Sequence, residues 1–136
     1  MKVFTGFFAG ILLSGLFFSC ESFGAAASNM PQTNSGGGVT AKVTYLNPGT
    51  TDEPRFQVVL DTHSVNLDAY DLKSITVLRD DAGKTYVSTG VENKGSGHHR
   101  EATLGFPKVS SDAKRVELVI KDVAGVKERV FRWNVE

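Results

Sequence analysis

Apolar and polar residues alternate with a period of two along most of the chain after residue 38. In 39–45, for example, four apolar residues alternate with three polar ones. Alternation over four to eight residues is typical of strands with one buried side and one solvent-facing side. The pattern therefore predicts seven short antiparallel strands. These strands cover 39–45, 55–61, 74–78, 86–87, 101–106, 116–121 and 130–135.

The segments between the predicted strands contain residues that favour turns. Asn47-Pro48-Gly49 follows the first strand, and Asp80-Asp81-Ala82-Gly83 has the composition of a hairpin turn. Ala124-Gly125 separates the last two strands and predicts a tight hairpin. No segment predicts a helix of useful length, and 65–72 predicts one irregular turn. Residues 89–97 predict a long polar loop that is either a binding loop or a connector.

This succession of strands and turns predicts an all-β domain over residues 39–136. About seven short strands in about 100 residues indicate an antiparallel β-sandwich of the immunoglobulin-like type, and a small barrel is the alternative. Trp133 lies on the apolar side of the last strand and is predicted to be a core residue.

The first twenty residues follow a different pattern. Lys2 precedes an apolar run over 3–18, and the small residue Ser19 separates this run from Cys20, the only cysteine of the chain. The run is shorter than the roughly 20 apolar residues that span a bilayer comfortably. This order of charged, apolar and small residues predicts a secretory signal peptide over 1–19. The alternatives are an uncleaved anchor helix and ordinary cleavage near 23–27.

Phe17-Phe18-Ser19-Cys20 resembles the lipobox of bacterial lipoproteins. The resemblance implies that Cys20 receives a diacylglyceryl group, that the leader is cut before it, and that a lipid anchor holds the protein in the bacterial cell envelope. Glu21 follows Cys20. In Gram-negative lipoproteins an aspartate at that position often retains the protein in the inner membrane, so the glutamate favours the outer membrane.

Residues 20–38 contain mostly small and polar residues and end in Gly36-Gly37-Gly38. Phe23 and Met30 are the only large apolar residues in this segment. Such a segment buries too little surface to offset the entropy of ordering it. It therefore predicts a flexible linker between the lipid and the sandwich domain.

Charge and cysteine content argue against a nucleic-acid partner and against stabilisation by an intramolecular disulfide. The chain has 15 basic and 15 acidic residues, so it lacks the basic excess of proteins that bind nucleic acid. A single cysteine forms no intramolecular disulfide, so the domain is expected to be stable without one. Cleavage after residue 19 leaves 117 of the 136 residues, which is enough for one domain.

All three histidines lie in two segments at predicted strand ends. His63 belongs to the segment Asp61-Thr62-His63-Ser64-Val65, and His98 and His99 belong to Gly95-Ser96-Gly97-His98-His99-Arg100. Strand–loop junctions are where sandwich domains carry binding residues. The two segments resemble the DTHSV and GGHHR segments of a family of uncharacterised secreted bacterial β-domains, with a serine inserted between the glycines here. That resemblance implies a β-sandwich fold and no particular activity.

The histidines support a metal-binding hypothesis, because neutral imidazole is the commonest transition-metal ligand. The candidate ligands for Zn²⁺ or Cu²⁺ are His63, His98, His99, Asp61 and Glu101. Neighbouring strand residues point to opposite faces, so His98 and His99 reach one ion only if the strand bulges or begins after them. The structural alternative is that His98 pairs with Asp61 while His99 is exposed.

Two further hypotheses concern calcium and catalysis. Asp61, Asn66, Asp68 and Asp71 supply the oxygen ligands that Ca²⁺ prefers. Their spacing matches no calcium loop, and turn or cap roles are the alternative for Asp68 and Asp71. Catalysis is disfavoured because the chain has no Gly-x-Ser-x-Gly, His-Glu-x-x-His or phosphate-loop motif.

Together these observations predict a lipid-anchored, non-catalytic protein of the bacterial envelope with a binding or assembly role. Its predicted partners are the membrane, through the lipid on Cys20, and an envelope protein that contacts an edge strand or end loop. The alternative function is that of an accessory domain that binds Zn²⁺ or Cu²⁺. No other cofactor and no nucleic-acid partner is predicted.

Overall fold

The alternation of apolar and polar residues places one side of each strand in a shared core between two sheets. The computed structural model describes residues 29–135, and within them the chain forms two antiparallel sheets around one hydrophobic cluster. The predicted all-β sandwich is therefore confirmed. The predicted signal peptide, Cys20 and the first part of the predicted linker lie outside the described residues.

The described residues form nine strands. They are β1 (Gln32–Gly36), β2 (Val39–Tyr45), β3 (Arg55–Thr62), β4 (Thr76–Asp80), β5 (Thr85–Val87), β6 (Gly90–Ser96), β7 (His99–Gly105), β8 (Arg115–Val123) and β9 (Val126–Asn134). One sheet has the strand order β1-β2-β3-β7-β6, and the other has the order β5-β4-β8-β9. A 3₁₀ turn (Leu67–Ala69) and a one-turn helix, α1 (Leu72–Ile75), connect β3 to β4. No helix within residues 29–135 has the length and apolar character needed to cross a membrane.

Aromatic rings from both sheets meet in the core. Tyr45 stacks on Phe56 with 4.5 Å between the ring centroids, and Trp133 of the other sheet approaches Phe56 at 5.2 Å. Such ring pairs stabilise a core beyond the effect of their buried area. Trp133 is 5% exposed, which confirms its predicted core position. Burial raises the pKa of the Tyr45 phenol to about 12, and the phenol donates a hydrogen bond to the Thr50 carbonyl.

All seven predicted strands are present, and two further strands lie where the sequence predicts other structures. β1 lies within the predicted linker (20–38), so the sandwich begins at Gln32 rather than at Val39. β6 replaces most of the predicted polar loop (89–97). Both are outer strands of the five-stranded sheet. They lack apolar alternation because an outer strand can be held largely by backbone pairing to one neighbour.

β1 and β9 are neighbours on one side of the sandwich. We call this region the closed side, and it comprises β1, β9 and the turns at 37–38 and 124–125. The side chain of Gln32 acts there as an additional backbone group. Its amide nitrogen donates to the carbonyl of Arg132 at 2.6 Å, and its amide oxygen accepts from Arg132 N at 3.1 Å. Two hydrogen bonds thus join the two sheets.

Arg129 is fully buried and holds the strands of the closed side together through hydrogen bonds. Its guanidinium donates to the backbone carbonyls of Gly36, Val39 and Val123 at 2.7–3.2 Å. It also donates to both oxygen atoms of Asn34, at 3.1 and 3.4 Å. Burial lowers the pKa of this guanidinium, because the charged form loses its hydration. The five bonds to oxygen offset part of that loss.

The two turns of the closed side approach each other closely, and this explains the conformation of Gly37. Its φ is 62°, and a Cβ at this position would lie 2.1 Å from the carbonyl oxygen of Ala124. Only a residue without a side chain permits this approach. The glycine run that predicts flexibility in the sequence therefore contributes a tight turn packed against the β8–β9 turn.

Candidate functional site

The outer surface of the five-stranded sheet carries the alternate residues that the core does not use, and we call it the polar face. Strand register arranges these residues in rows across the sheet. One row consists of Ser35, Thr40, Asp61, His99 and Ser96. Hydroxyl, carboxylate and imidazole groups side by side favour contact with a polar ligand over apolar docking.

Asp61 and His99 contact each other on the polar face. They are paired in register between β3 and β7, and His99 Nδ1 hydrogen-bonds with Asp61 Oδ1. Both side chains are more than half exposed. The sequence alternative named His98 for this pair, and the structure corrects it to His99. His98 lies in the β6–β7 turn, one residue out of phase with the side chains of the polar face.

The other predicted metal ligands do not join this pair. Glu101 lies two residues further along β7, which puts its Cα roughly 7 Å from that of His99. Its carboxylate accepts a hydrogen bond at 2.7 Å from a glutamine side chain of β3. His63 follows β3, His98 precedes β7, and both are exposed at one end of these paired strands. Within residues 29–135, no three His, Cys, Asp or Glu side chains are grouped so that they could hold a metal ion.

The residues of the calcium hypothesis have local structural roles. Asn66 Oδ1 accepts from Asp68 N, and Asp71 Oδ1 accepts from Lys73 N, so these side chains cap the 3₁₀ turn and α1. Asp68 Oδ1 accepts from Gly97 N at 3.0 Å and ties this connection to the β6–β7 turn. The predicted turn and cap roles of Asp68 and Asp71 are thus confirmed.

A cavity of about 310 Å³ opens on the polar face, at the end of β7 remote from His99. Residues of β3, β6 and β7 and of the β5–β6 connection line it. These residues are Arg55, Thr89, Gly90, Val91, Glu92, Thr103 and Gly105. Pockets that bind small molecules commonly measure roughly 300–1,000 Å³, so this cavity lies at the small end of that range.

The cavity exists because two paired positions lack side chains. Gly90 and Gly105 are in register between β6 and β7, and Arg55 is in register with Gly105 on the other side. Neither glycine has a left-handed backbone conformation. A Cβ at Gly90 would meet no atom within 4 Å, and a Cβ at Gly105 would make an ordinary contact with Thr89 Oγ1 at 3.6 Å. The fold therefore accepts a side chain at both positions.

Two charged side chains line the cavity without an ionic partner. Within residues 29–135, no carboxylate lies within 4.0 Å of the Arg55 guanidinium, and no cationic group lies that close to the Glu92 carboxylate. Both residues are exposed. The arrangement can therefore receive a ligand that carries charge without first breaking an internal ion pair.

The amino-acid sequence does not reveal this cavity, because its parts are distant in the chain and carry no motif. Arg55 lies on β3, whereas Gly90 and Gly105 lie on β6 and β7. Only the register of three strands brings them together. The sequence contains one signal for it: Gly105 interrupts a predicted strand, and an isolated glycine in a strand often marks a site where another group approaches the backbone.

Comparison of the chain with protein-family models, with curated proteins and with solved structures found no match in any of the three. The polar face is therefore the part of the described structure whose chemistry and geometry indicate a function. Its two candidate sites are the Asp61–His99 pair and the cavity.

Proposed function

We propose that this protein is a lipid-anchored, non-catalytic binding protein of the bacterial envelope, and that the cavity on the polar face is its binding site. One observation carries the proposal. Arg55 and Glu92 lack ionic partners at a cavity whose floor is left open by Gly90 and Gly105. A concave site with a small number of polar groups that orient the ligand is the usual form of a small-molecule site.

The lining of the cavity supports binding rather than catalysis. Covalent catalysis requires a nucleophile that an adjacent base activates. The hydroxyl groups of the lining belong to Thr89 and Thr103, and no histidine, lysine or cysteine is among the lining residues. The lining thus offers groups that orient a ligand through charge and hydrogen bonds.

The anchoring part of the proposal rests on Cys20 and the lipobox-like residues before it. Several acyl chains hold a protein on a membrane stably, whereas a single chain binds only marginally. β1 begins at Gln32, twelve residues after Cys20. Even a fully extended connection of that length spans at most about 40 Å, so a ligand would be bound close to the membrane surface.

Amide NMR spectroscopy of the full-length chain in detergent tests the cavity. Amino acids, short peptides, sugars, dicarboxylates and polyamines are each added at millimolar concentration. We expect at least one class to shift the amide signals of Gly90 and Gly105, and we expect Gly90→Val, which fills the cavity, to remove the effect. Thr44→Val, on the same face outside the cavity, is the control and should respond like the wild type. The absence of any shift, or an equal shift in Gly90→Val, contradicts the proposal.

Membrane fractionation of Cys20→Ser tests the anchor. We expect that the leader of the variant is not cut before residue 20 and that no mature variant protein is found in the membrane fraction, because the thioether to the lipid cannot form. Its circular dichroism should still show a folded β domain, since Cys20 precedes β1. A Cys20→Ser protein that still fractionates as a mature membrane protein would remove the basis for lipid anchoring.

The alternative function, that of a metal-binding accessory domain, has one observation in its favour, the contact between Asp61 and His99. Zn²⁺ accepts imidazole nitrogen and carboxylate oxygen as ligands. If this function is right, micromolar Zn²⁺ should shift the ring signals of His99, and His99→Gln should abolish the response. Unchanged histidine signals at that concentration would exclude it.

A further inference from the structure

We propose that the ligand of the cavity is a small zwitterion, namely an α-amino acid or a short peptide with both termini free. The inference rests on the proposed function, since it names the class of ligand for the same cavity. It is carried by the opposite charges of Arg55 and Glu92, which lie on different strands of the cavity lining and have no other ionic partner among residues 29–135.

Strand register determines how far apart the two charges are anchored. Arg55 lies in one row with Gly105 and Gly90, and Glu92 lies in the next row with Thr103. Two inter-strand spacings and an offset of two residues put the Cα atoms of Arg55 and Glu92 roughly 12 Å apart. Their side chains do not pair with each other across this distance. A ligand that occupies the space between them can contact both.

Opposite charges select against ligands that carry only one sign of charge. A ligand carboxylate matches the planar, two-pronged guanidinium of Arg55, and a ligand ammonium is attracted to the carboxylate of Glu92. A dicarboxylate would place its second negative charge near Glu92. A diamine would place its second positive charge near Arg55. Both arrangements are repulsive, so a zwitterion is the best complement to this pair.

The size of the cavity limits the size of the ligand. About 310 Å³ is at the lower bound for small-molecule pockets, which suits one or two amino-acid residues. Ion pairs in partly exposed positions contribute little each, because water screens them. We therefore expect a dissociation constant on the order of a millimolar.

Three related peptides separate the contributions of the two charges. Diglycine carries both charges, N-acetyl-diglycine lacks the ammonium, and diglycine amide lacks the carboxylate. Each is titrated into the full-length chain in detergent while the amide signals of Gly90 and Gly105 are followed. We expect diglycine to bind about threefold to fivefold more tightly than either blocked peptide, as the loss of one exposed ion pair predicts.

Charge-removing variants assign each ion pair to a residue. Glu92→Gln should weaken diglycine binding about threefold to fivefold and leave N-acetyl-diglycine unchanged, because that peptide has no ammonium. Arg55→Gln should weaken the binding of diglycine and of N-acetyl-diglycine, and it should leave the binding of diglycine amide unchanged. The matched controls Glu128→Gln and Lys42→Gln remove the same charges outside the cavity, and both should bind diglycine like the wild type.

The outcomes distinguish the ligand class from the site. If the three peptides bind equally, or if the controls weaken binding as much as the cavity variants do, the zwitterion proposal is wrong. If only succinate or 1,4-diaminobutane shifts the two amide signals, and Gly90→Val abolishes that shift, the cavity remains the binding site and the ligand class is wrong. If no compound of any class shifts these signals, both proposals are wrong.

Discussion

The closed side and the cavity each combine an arginine with glycine, and the two combinations have opposite consequences. On the closed side, Arg129 is fully buried and donates five hydrogen bonds, and Gly37 is required by the approach of the Ala124 carbonyl. At the cavity, Arg55 is exposed and has no ionic partner, and Gly90 has room for a side chain. Arginine and glycine thus stabilise the fold on the closed side, where the arginine donates hydrogen bonds to the backbone. At the cavity the arginine has no ionic partner within residues 29–135, and the same residue types form a candidate binding site.

Replacing each arginine by methionine gives the largest predicted difference between the two regions. Arg129→Met leaves several buried carbonyl groups without a donor, so we expect it to lower the free energy of unfolding by about 3–5 kcal/mol. Arg55→Met should change it by less than about 0.5 kcal/mol, since the Arg55 side chain makes no hydrogen bond or ion pair within residues 29–135. Urea unfolding followed by Trp133 fluorescence measures both. Equal losses would show that Arg129 does not hold the closed side.

Alanine at the two glycines gives the next largest difference, and here the signs differ. Gly37→Ala forces a side chain into a left-handed backbone and against the Ala124 carbonyl, so we expect a loss of at least about 2 kcal/mol. Gly90→Ala reduces the freedom of the unfolded chain without strain and should add about 0.4–1 kcal/mol. The same urea experiment compares them. A destabilised Gly90→Ala would mean that glycine is needed there for the fold itself.

The smallest predicted effect is a pH dependence of stability, and it arises from the contacts of Glu117 with arginines on β4 and β9. Arg132 Nε donates to Glu117 at 2.7 Å and Arg79 donates to it at 2.9–3.0 Å, so hydrogen bonds from both lower the pKa of Glu117 below its ordinary value of 4.5. The unfolded chain therefore binds the proton more readily, and stability should fall as pH drops below about 4.5. In Glu117→Gln, the midpoint of urea unfolding should change less between pH 5 and pH 3 than it does in the wild type.

A residual acid response in Glu117→Gln is expected from Asp81. The pKa of its carboxyl is also lowered, chiefly because it accepts a hydrogen bond from Lys114 N. A double variant with Asp81→Asn should flatten the profile further. An unchanged acid profile in Glu117→Gln would show that the Arg132–Glu117 contact does not contribute to stability.

The fold was predictable from sequence where burial dictates the pattern. β8 and β9 alternate apolar and polar residues because their inner sides enclose the core with Trp133, and both strands were predicted. β1 and β6 are hard to predict because β1 contributes no apolar side chain to that core and β6 contributes only the partly buried Val91. β1 is held by the hydrogen bonds of Gln32 and Asn34 to residues about 95–100 positions away, and no local pattern reveals such contacts.

The candidate site was less predictable than the fold. The structural alternative to metal binding pairs Asp61 with His98, whereas the structure pairs it with His99, because the choice depends on where the turn ends and the strand begins. A shift of one residue changes the face to which a side chain points. The cavity depends on register in the same way, since Arg55 and Gly90 share a row only because β7 lies between their strands.

β1 also affects the tendency of the domain to aggregate. It covers β2, whose seven residues alternate buried positions with partly or fully exposed ones and contain four β-branched side chains. A chain that began at Val39 would lose this cover and would present the backbone of β2 as a bare, regular edge, which is the kind of surface on which other chains add strands. The four polar residues and one glycine of β1 cover that edge, and the hydrogen bonds that Arg129 donates to β1 make the cover part of the native fold.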